Sequence, residues 1–157
     1  MQKLTTFLTF AEHAEQAAKF YVSIFKPSKI LKTIRYGEAG PGAKGSVMTV
    51  HFKLAGQEYV ALNGGDPFKF SMGVSLSVDC KNQKEIDTYT RKLLAGGGEQ
   101  LPCGWIRDRF GMFWQVNPAI LVKMLADKNA AKANRVMTAM MDMYKLDIAA
   151  LKAAYKG

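Results

Sequence analysis

The sequence has few cysteines and no long apolar run. Its 157 residues include two cysteines, Cys80 and Cys103, which excludes a scaffold built on several disulfides. No apolar stretch approaches the roughly 20 residues that a membrane-spanning helix needs. Residues 1–10 lack the basic segment, apolar core and cleavage site of a secretory signal. We therefore expect a cytoplasmic protein with reduced thiols and no membrane partner.

Acidic residues are scarce relative to basic ones. The chain carries 22 Lys and Arg against 13 Asp and Glu, a formal net charge of +9. This excess could attract an anionic partner, but it is spread over both 1–117 and 118–157, and no run resembles a basic arm. The distribution favours a solvated basic surface over a nucleic-acid interface.

Histidine and recognisable cofactor motifs are scarce as well. His13 and His51 are the only histidines, and they lie in different predicted elements, so we interpret them as structural or surface residues. The glycine-rich segment 37–45 is followed by a predicted strand. A phosphate cradle or a methyl-donor site needs a helix at that point. The sequence therefore predicts a flexible hairpin loop there and no cofactor.

Hydrophobic periodicity indicates alternating strands and helices. Apolar residues recur at three- and four-residue steps over 12–25, which predicts a helix. Side chains alternate in character over 46–54, which predicts a strand. Further strands are predicted at 4–10, 29–36, Gln57–Asn63, 70–78, 100–103, 105–109 and 112–116, and a second helix at 82–94.

The predicted elements repeat. Shifting the sequence by 68 residues aligns apolar positions of the first half with apolar positions of the second. The aligned pairs include Leu8 with Leu76, Phe10 with Val78, Ala18 with Ile86, Tyr21 with Tyr89 and Phe25 with Leu93. Both halves read strand-helix-strand-strand-strand. This internal repeat predicts two modules, at 1–66 and 70–117.

Residues 118–157 belong to neither module. They are rich in alanine, lysine and methionine, with five of the nine methionines, which predicts helices. One apolar face is predicted to run from Ala133 to Tyr155 through Met137 and Tyr144, and Asp147 is predicted to cap a final helix. This tail could cover the core or form a partner site.

Three strings resemble a known family. Residues 14–25, residues 61–70, and Cys103-Gly104-Trp105 with residues 108–115 are similar to the PhnB-like branch of the vicinal-oxygen-chelate superfamily. That branch is often labelled 3-demethylubiquinone methyltransferase-like. The resemblance implies an α+β fold in which two βαβββ modules form a curved mixed sheet over 1–117, with 118–157 as a C-terminal helical extension. It also implies a homodimer.

The sequence departs from the metal-using members of this superfamily. In those members the first and last strands of each module supply His and Glu ligands. The matching positions here lie near Thr5 and Gly73, near Ala61 or Asn63, and at Gln115, and none is His, Asp or Glu. A divalent ion needs several convergent nitrogen or oxygen donors. We therefore expect no bound metal.

The remaining signal is aromatic and amide-bearing. Ligand sites combine apolar walls with a few placed polar groups, and strand alternation cannot put every aromatic residue on one face. We predict Phe7, Asn63, Trp105 and Gln115 as ligand-binding residues, with core packing as the alternative for each. The leading hypothesis is metal-independent binding of a small, partly aromatic molecule.

Two other hypotheses stay open. The first is an isomerase, lyase or transferase that uses Gln115, Asp108 or Cys103 with a metal or cofactor. Asp108 is nevertheless expected to be a turn residue first, and Cys103 a buried, inert thiol. The second is an interaction module that uses the methionine-rich tail. Fold alone does not decide among these hypotheses.

Overall fold

The computed structural model describes residues 3–157. These residues form eight β-strands, five α-helices and one short 3₁₀ helix. The chain divides into two compact units, with the boundary between Phe70 and Ser71.

The first unit contains one four-stranded sheet and one helix. Its elements are β1 (Thr6–Phe10), α1 (Ala14–Ile24), β2 (Ser28–Arg35), β3 (Val47–Leu54) and β4 (Gln57–Asn63). The strand order is β1-β4-β3-β2, with β1 parallel to β4 and the other pairs antiparallel. A parallel pair needs a crossover connection, and here α1, β2 and β3 lie between its two strands.

The core of this unit lies between α1 and one face of the sheet. The buried helix positions follow the predicted apolar stripe and include Ala14, Ala17, Ala18, Tyr21 and Ile24. Leu8 and Phe10 of β1 and Phe52 of β3 are also buried. Because strand side chains alternate between faces, the burial of Leu8 and Phe10 directs Phe7 and Thr9 to the opposite face.

The second unit repeats this arrangement. It contains β5 (Leu76–Cys80), α2 (Gln83–Leu94), β6 (Glu99–Gln100), the 3₁₀ helix (Pro102–Gly104), β7 (Trp105–Arg107) and β8 (Phe113–Pro118). The strand order β5-β8-β7-β6 matches that of the first sheet, and β5 is parallel to β8. The predicted α+β class and the two βαβββ modules are therefore confirmed, with one four-stranded sheet in each module.

Several strand predictions were too long, and those at 70–78 and 100–103 differ most from the structure. The predicted strand at 70–78 begins only at Leu76, because the chain turns before it and the Val74 N–H donates to the Ser71 carbonyl. The predicted strand at 100–103 ends at Gln100. Beyond it the chain enters the 3₁₀ helix, since Pro102 has no N–H to donate to a ladder.

The second unit continues into the C-terminal extension. This extension comprises α3 (Leu121–Leu125), α4 (Ala130–Met141) and α5 (Ile148–Lys156). Its buried side chains are Leu121, Met124, Val136, Leu146 and Leu151. None of the helices within residues 3–157 has the length and apolar character needed to cross a membrane.

The cap at Asp147 is confirmed, but the single apolar face is wrong. The Asp147 carboxylate accepts a hydrogen bond from the Ala150 N–H at 2.8 Å. However, residues 142–147 leave the helical conformation and separate α4 from α5. Met137 on α4 and Tyr144 within this break are both exposed, while Val136, outside the predicted face, is buried. Helical periodicity cannot hold across a break of this kind.

Candidate functional site

The second sheet has one apolar and one polar face. Ile106 and Trp114 are directly opposite each other on β7 and β8 and are buried, as are Ile86 and Leu93 of α2. The face opposite this core carries Trp105 on β7, directly opposite Gln115 on β8. The structure therefore brings two of the four predicted ligand-binding residues together.

Hydrogen bonds hold the amides of this face in place. Gln115 Nε2 donates to Ser75 Oγ at 2.8 Å, and Asn117 Nδ2 donates to Ser77 Oγ at 3.2 Å. Ser75 directly precedes β5 and Ser77 lies within it, and β5 is the parallel neighbour of β8. We refer to Ser75, Ser77, Trp105, Gln115 and Asn117 as the polar face.

Two hydrogen-bonding groups of the polar face are not used by the protein. Among residues 3–157, Trp105 Nε1 donates no hydrogen bond and Gln115 Oε1 accepts none. Both side chains are half-buried, and directly opposite residues on neighbouring strands have Cβ atoms about 5 Å apart. An aromatic ring, a free donor and a free acceptor therefore lie side by side.

Phe7 and Asn63 do not share a face. Phe7 is 55% exposed and lies opposite Val60 on β4, on the face away from α1. Asn63 lies on the α1 side, where its Oδ1 accepts from the Ala14 N–H at 2.8 Å and its Nδ2 donates to the Val47 carbonyl at 2.9 Å. The Asn63 amide therefore links β4 to the start of α1 and to β3.

Asn63 also lines a cavity at one end of the first unit. This cavity has a volume of about 320 Å³ and lies between the β1–α1 turn, the glycine-rich loop and the residues after β4. The Tyr36 ring fills the inside of the loop so closely that a Cβ at Gly42 would lie 2.2 Å from it. The loop connects the antiparallel strands β2 and β3. This confirms the predicted hairpin loop and provides no helix for a methyl-donor or phosphate site.

Asp108 is a turn residue, as predicted. Its side chain is buried, and its carboxylate accepts hydrogen bonds from the Phe110 N–H at 2.8 Å, the Met112 N–H at 3.1 Å and the Trp114 indole at 2.8 Å. These contacts hold the β7–β8 turn together. A buried carboxylate committed to three donors is suited to a structural role.

The thiols are not arranged as nucleophiles. Cys80 is buried, and burial raises the pKa of its thiol to about 12, so the reactive thiolate is scarce at neutral pH. Cys103 is half-buried, contrary to the expected buried thiol, and its Sγ lies 3.7 Å from the Met141 thioether. A nucleophilic cysteine needs a neighbouring base or cation, and a thioether supplies neither.

The donor groups do not fit a divalent metal ion. Within the described part of the chain, no three His, Cys, Asp or Glu side chains are placed to hold one. On the polar face, the residue before β5 contributes the Ser75 hydroxyl and β8 contributes the Gln115 amide, and these two groups are hydrogen-bonded to each other. His13 directly precedes α1, and His51 lies within β3. Divalent metal ions in proteins are held mainly by imidazole, carboxylate and thiolate ligands.

Comparisons with known proteins place the chain in a family. A family model described as 3-demethylubiquinone-9 3-methyltransferase matches residues 2–117. The PhnB protein from Bacillus cereus is 37% identical, with a TM-score of 0.64 over 75% of this chain and 100% of that one. A comparison with curated protein sequences finds no match.

More distant structures share the fold. A protein from Pseudomonas aeruginosa has 20% identity and a TM-score of 0.61, over 75% of this chain and 98% of that one. The fosfomycin resistance protein FosX from Listeria monocytogenes, complexed with Mn(II) and sulfate, has 17% identity and a TM-score of 0.55, over 75% of this chain and 93% of that one. The chain belongs to the PhnB-like 3-demethylubiquinone-9 3-methyltransferase family.

Proposed function

We propose that this protein binds a small, partly aromatic molecule on the polar face of the second sheet, without a metal ion. The observation that carries the proposal is the pairing of Trp105 with Gln115, which leaves an indole N–H and an amide oxygen without protein partners among residues 3–157. The ligand chemistry that fits is a flat ring with a hydrogen-bond acceptor and a donor along one edge.

The energetics of this arrangement support binding. Contact between an aromatic ligand and the Trp105 ring would contribute about 0.5–1.5 kcal/mol beyond the area buried, and each hydrogen bond about 0.5–1.5 kcal/mol. The Ser75 hydroxyl already holds the Gln115 amide, so binding would order this side chain at a reduced entropic cost.

The site retains two of the four predicted residues. Asn63 is left out because both ends of its amide already bond to the backbone. Phe7 is exposed on the first sheet, and its part in binding stays a prediction that a Phe7→Ala variant tests.

A nuclear magnetic resonance titration tests the site. The protein has two tryptophans, so a ¹H–¹⁵N spectrum contains two indole N–H signals, and the buried Trp114 provides an internal reference. We would add nicotinamide, benzamide and p-hydroxybenzoate as probes. Binding should shift the Trp105 indole and the Gln115 side-chain amide and leave the Trp114 indole in place. Probes that bind without moving the Trp105 signal would refute the assignment.

Matched variants separate the ring from its donor. Trp105→Phe keeps an aromatic surface and removes the N–H, so affinity for the probes should fall about three- to tenfold, the equivalent of one hydrogen bond. Trp105→Ala removes both and should weaken binding further. Equal probe affinities in all three proteins would show that binding occurs elsewhere.

Native mass spectrometry with added Mn²⁺ tests metal independence. Retention of one ion per chain would overturn this part of the proposal and favour metal-dependent enzyme chemistry. The same spectra report subunit number, and we expect a homodimer, as the resemblance to the superfamily implies. Two free cysteines suit a cytoplasmic location. The end of the family match at residue 117 supports a vicinal-oxygen-chelate domain at 1–117 and an extension at 118–157.

A further inference from the structure

Two left-handed residues immediately precede Trp105. Cys103 has φ of 59° and Gly104 has φ of 79°. Glycine tolerates this region readily, but it is unfavourable for a residue with a Cβ. Surrounding contacts must therefore hold Cys103 in place. The chain enters β7 directly after this pair, so the conformation of the pair sets the start of the strand that carries Trp105.

The contacts that hold this pair come from the C-terminal extension. The Cys103 N–H donates to the Met143 carbonyl and the Gly104 N–H donates to the Tyr144 carbonyl, each at 2.7 Å. The Leu146 side chain is fully buried and lies so close to Gly104 that a Cβ there would be 3.1 Å from it. Both acceptors and Leu146 belong to the segment between α4 and α5, residues 142–147, which we call the α4–α5 link.

Helix α2 anchors the α4–α5 link. The Gln83 side chain donates from Nε2 to the Leu146 carbonyl at 3.1 Å and accepts at Oε1 from the Ile148 N–H at 2.9 Å. One amide thus binds the backbone on both sides of Asp147. Lys145 Nζ adds an ion pair with Asp87 of α2 at 2.7 Å. The Gln83 side chain therefore contacts the α4–α5 link, and the link contacts the Cys103-Gly104 pair.

We propose that the α4–α5 link positions Trp105 for ligand binding and that Gln83 is the positioning residue. The ligand half of this inference rests on the function proposed above. The family model ends at residue 117, so the link lies outside the residues that match the family. The extension thereby acts on Trp105 through the Cys103-Gly104 pair, although none of the five polar-face residues belongs to the extension.

Amide hydrogen exchange and the indole signals test the positioning. In the full-length Gln83→Ala variant, exchange at the Cys103 and Gly104 amides should rise at least tenfold, and the Trp105 indole signal should move. The Trp114 indole and the Val116 amide should match the wild-type protein. Lys84→Ala is the control, because Lys84 is an exposed neighbour on the same helix and should change none of these signals. Gln83→Glu keeps the acceptor for the Ile148 N–H and should fall between the two.

Two outcomes overturn the proposal. In the first, exchange at Ile148 rises in Gln83→Ala, which shows that the link has loosened, but the Cys103 and Gly104 amides and the Trp105 indole do not change. In the second, exchange rises equally at the Val116 amide and at the Cys103 and Gly104 amides. The link would then stabilise the whole unit and would not position Trp105 specifically.

These measurements need no ligand, so they separate this proposal from the proposed function. If the probes bind the wild-type protein, their affinity should fall at least fivefold in Gln83→Ala. If no probe binds the wild-type protein while exchange and indole changes appear as expected, the ligand assignment fails and the positioning of Trp105 stands.

Discussion

Replacing Asp108 with asparagine tests whether the Asp108 carboxylate has a structural role or a catalytic one. Asp108 is 3% exposed, with two backbone N–H groups bonded to Oδ1 and the Trp114 indole bonded to Oδ2. In Asp108→Asn the oxygen can keep both backbone bonds. The new NH₂ group then faces the indole N–H, so two donors meet in a buried site.

The expected loss of stability follows from these contacts. A hydrogen bond to a charged group contributes about 1.5–3 kcal/mol, and an unpaired buried N–H costs about 1–3 kcal/mol. Relief from burying a charge offsets part of this loss. We therefore expect Asp108→Asn to lower the free energy of unfolding by about 2–4 kcal/mol.

Urea unfolding followed by far-ultraviolet circular dichroism measures this change. Trp114→Phe removes the indole donor, so the double variant with Asp108→Asn contains no donor pair, and its loss should be smaller than the sum of the single losses by about 1 kcal/mol or more. An Asp108→Asn protein within about 0.5 kcal/mol of wild type would refute the reasoning and reopen a chemical role for this carboxylate.

Three further predictions follow from local geometry. Gly104→Ala should lower the free energy of unfolding in urea by about 1–3 kcal/mol more than Gly111→Ala does. Both glycines have positive φ, but only at Gly104 would a Cβ meet a backbone carbonyl of β8, at 2.9 Å. Ellman's reagent at pH 8 should label one thiol per chain quickly and Cys80 only on unfolding, because burial raises its pKa to about 12; two fast thiols would contradict this. The hydrogen bond from Lys145 lowers the pKa of Asp87. This pair should therefore stabilise the link fully at pH values above the ordinary aspartate pKa of about 3.9. The stabilisation should disappear as the pH falls through the lowered pKa of the folded state. An acid titration of the link amides by nuclear magnetic resonance checks the direction, with no change below pH 4 as the contrary result.

Much of the fold follows from local sequence patterns. Each module buries an apolar helix stripe against a sheet of the same strand order, so the two halves carry apolar residues at matching positions. The 68-residue repeat therefore predicted two modules with the same element order. The Asp147 cap and the turn at Asp108 were equally legible, since short polar side chains satisfy nearby backbone N–H groups wherever a helix or turn begins.

The site required tertiary structure. Sequence alternation could not decide whether Phe7 and Asn63 share a face, because a shift of one residue in strand register moves every side chain to the other face. The register placed Asn63 against α1 and placed Trp105 opposite Gln115. The sequence suggested Trp105 and Gln115 only through their residue types and their positions in predicted strands. The fold then placed them opposite each other.

The contacts of the C-terminal extension were the least predictable from the sequence. Nothing in the spacing of Cys103, Gln83 and Met143 links them. The Cys103–Met143 hydrogen bond joins backbone groups that carry no sequence signal, and the Gln83 side chain meets the link 63 residues further along the chain. The sequence by itself determined the two modules, their helices and the Asp147 cap, which depend on neighbours along the chain. Tertiary structure alone decided which side chains meet on the polar face and which segment holds Trp105, because those contacts join residues that are distant in sequence.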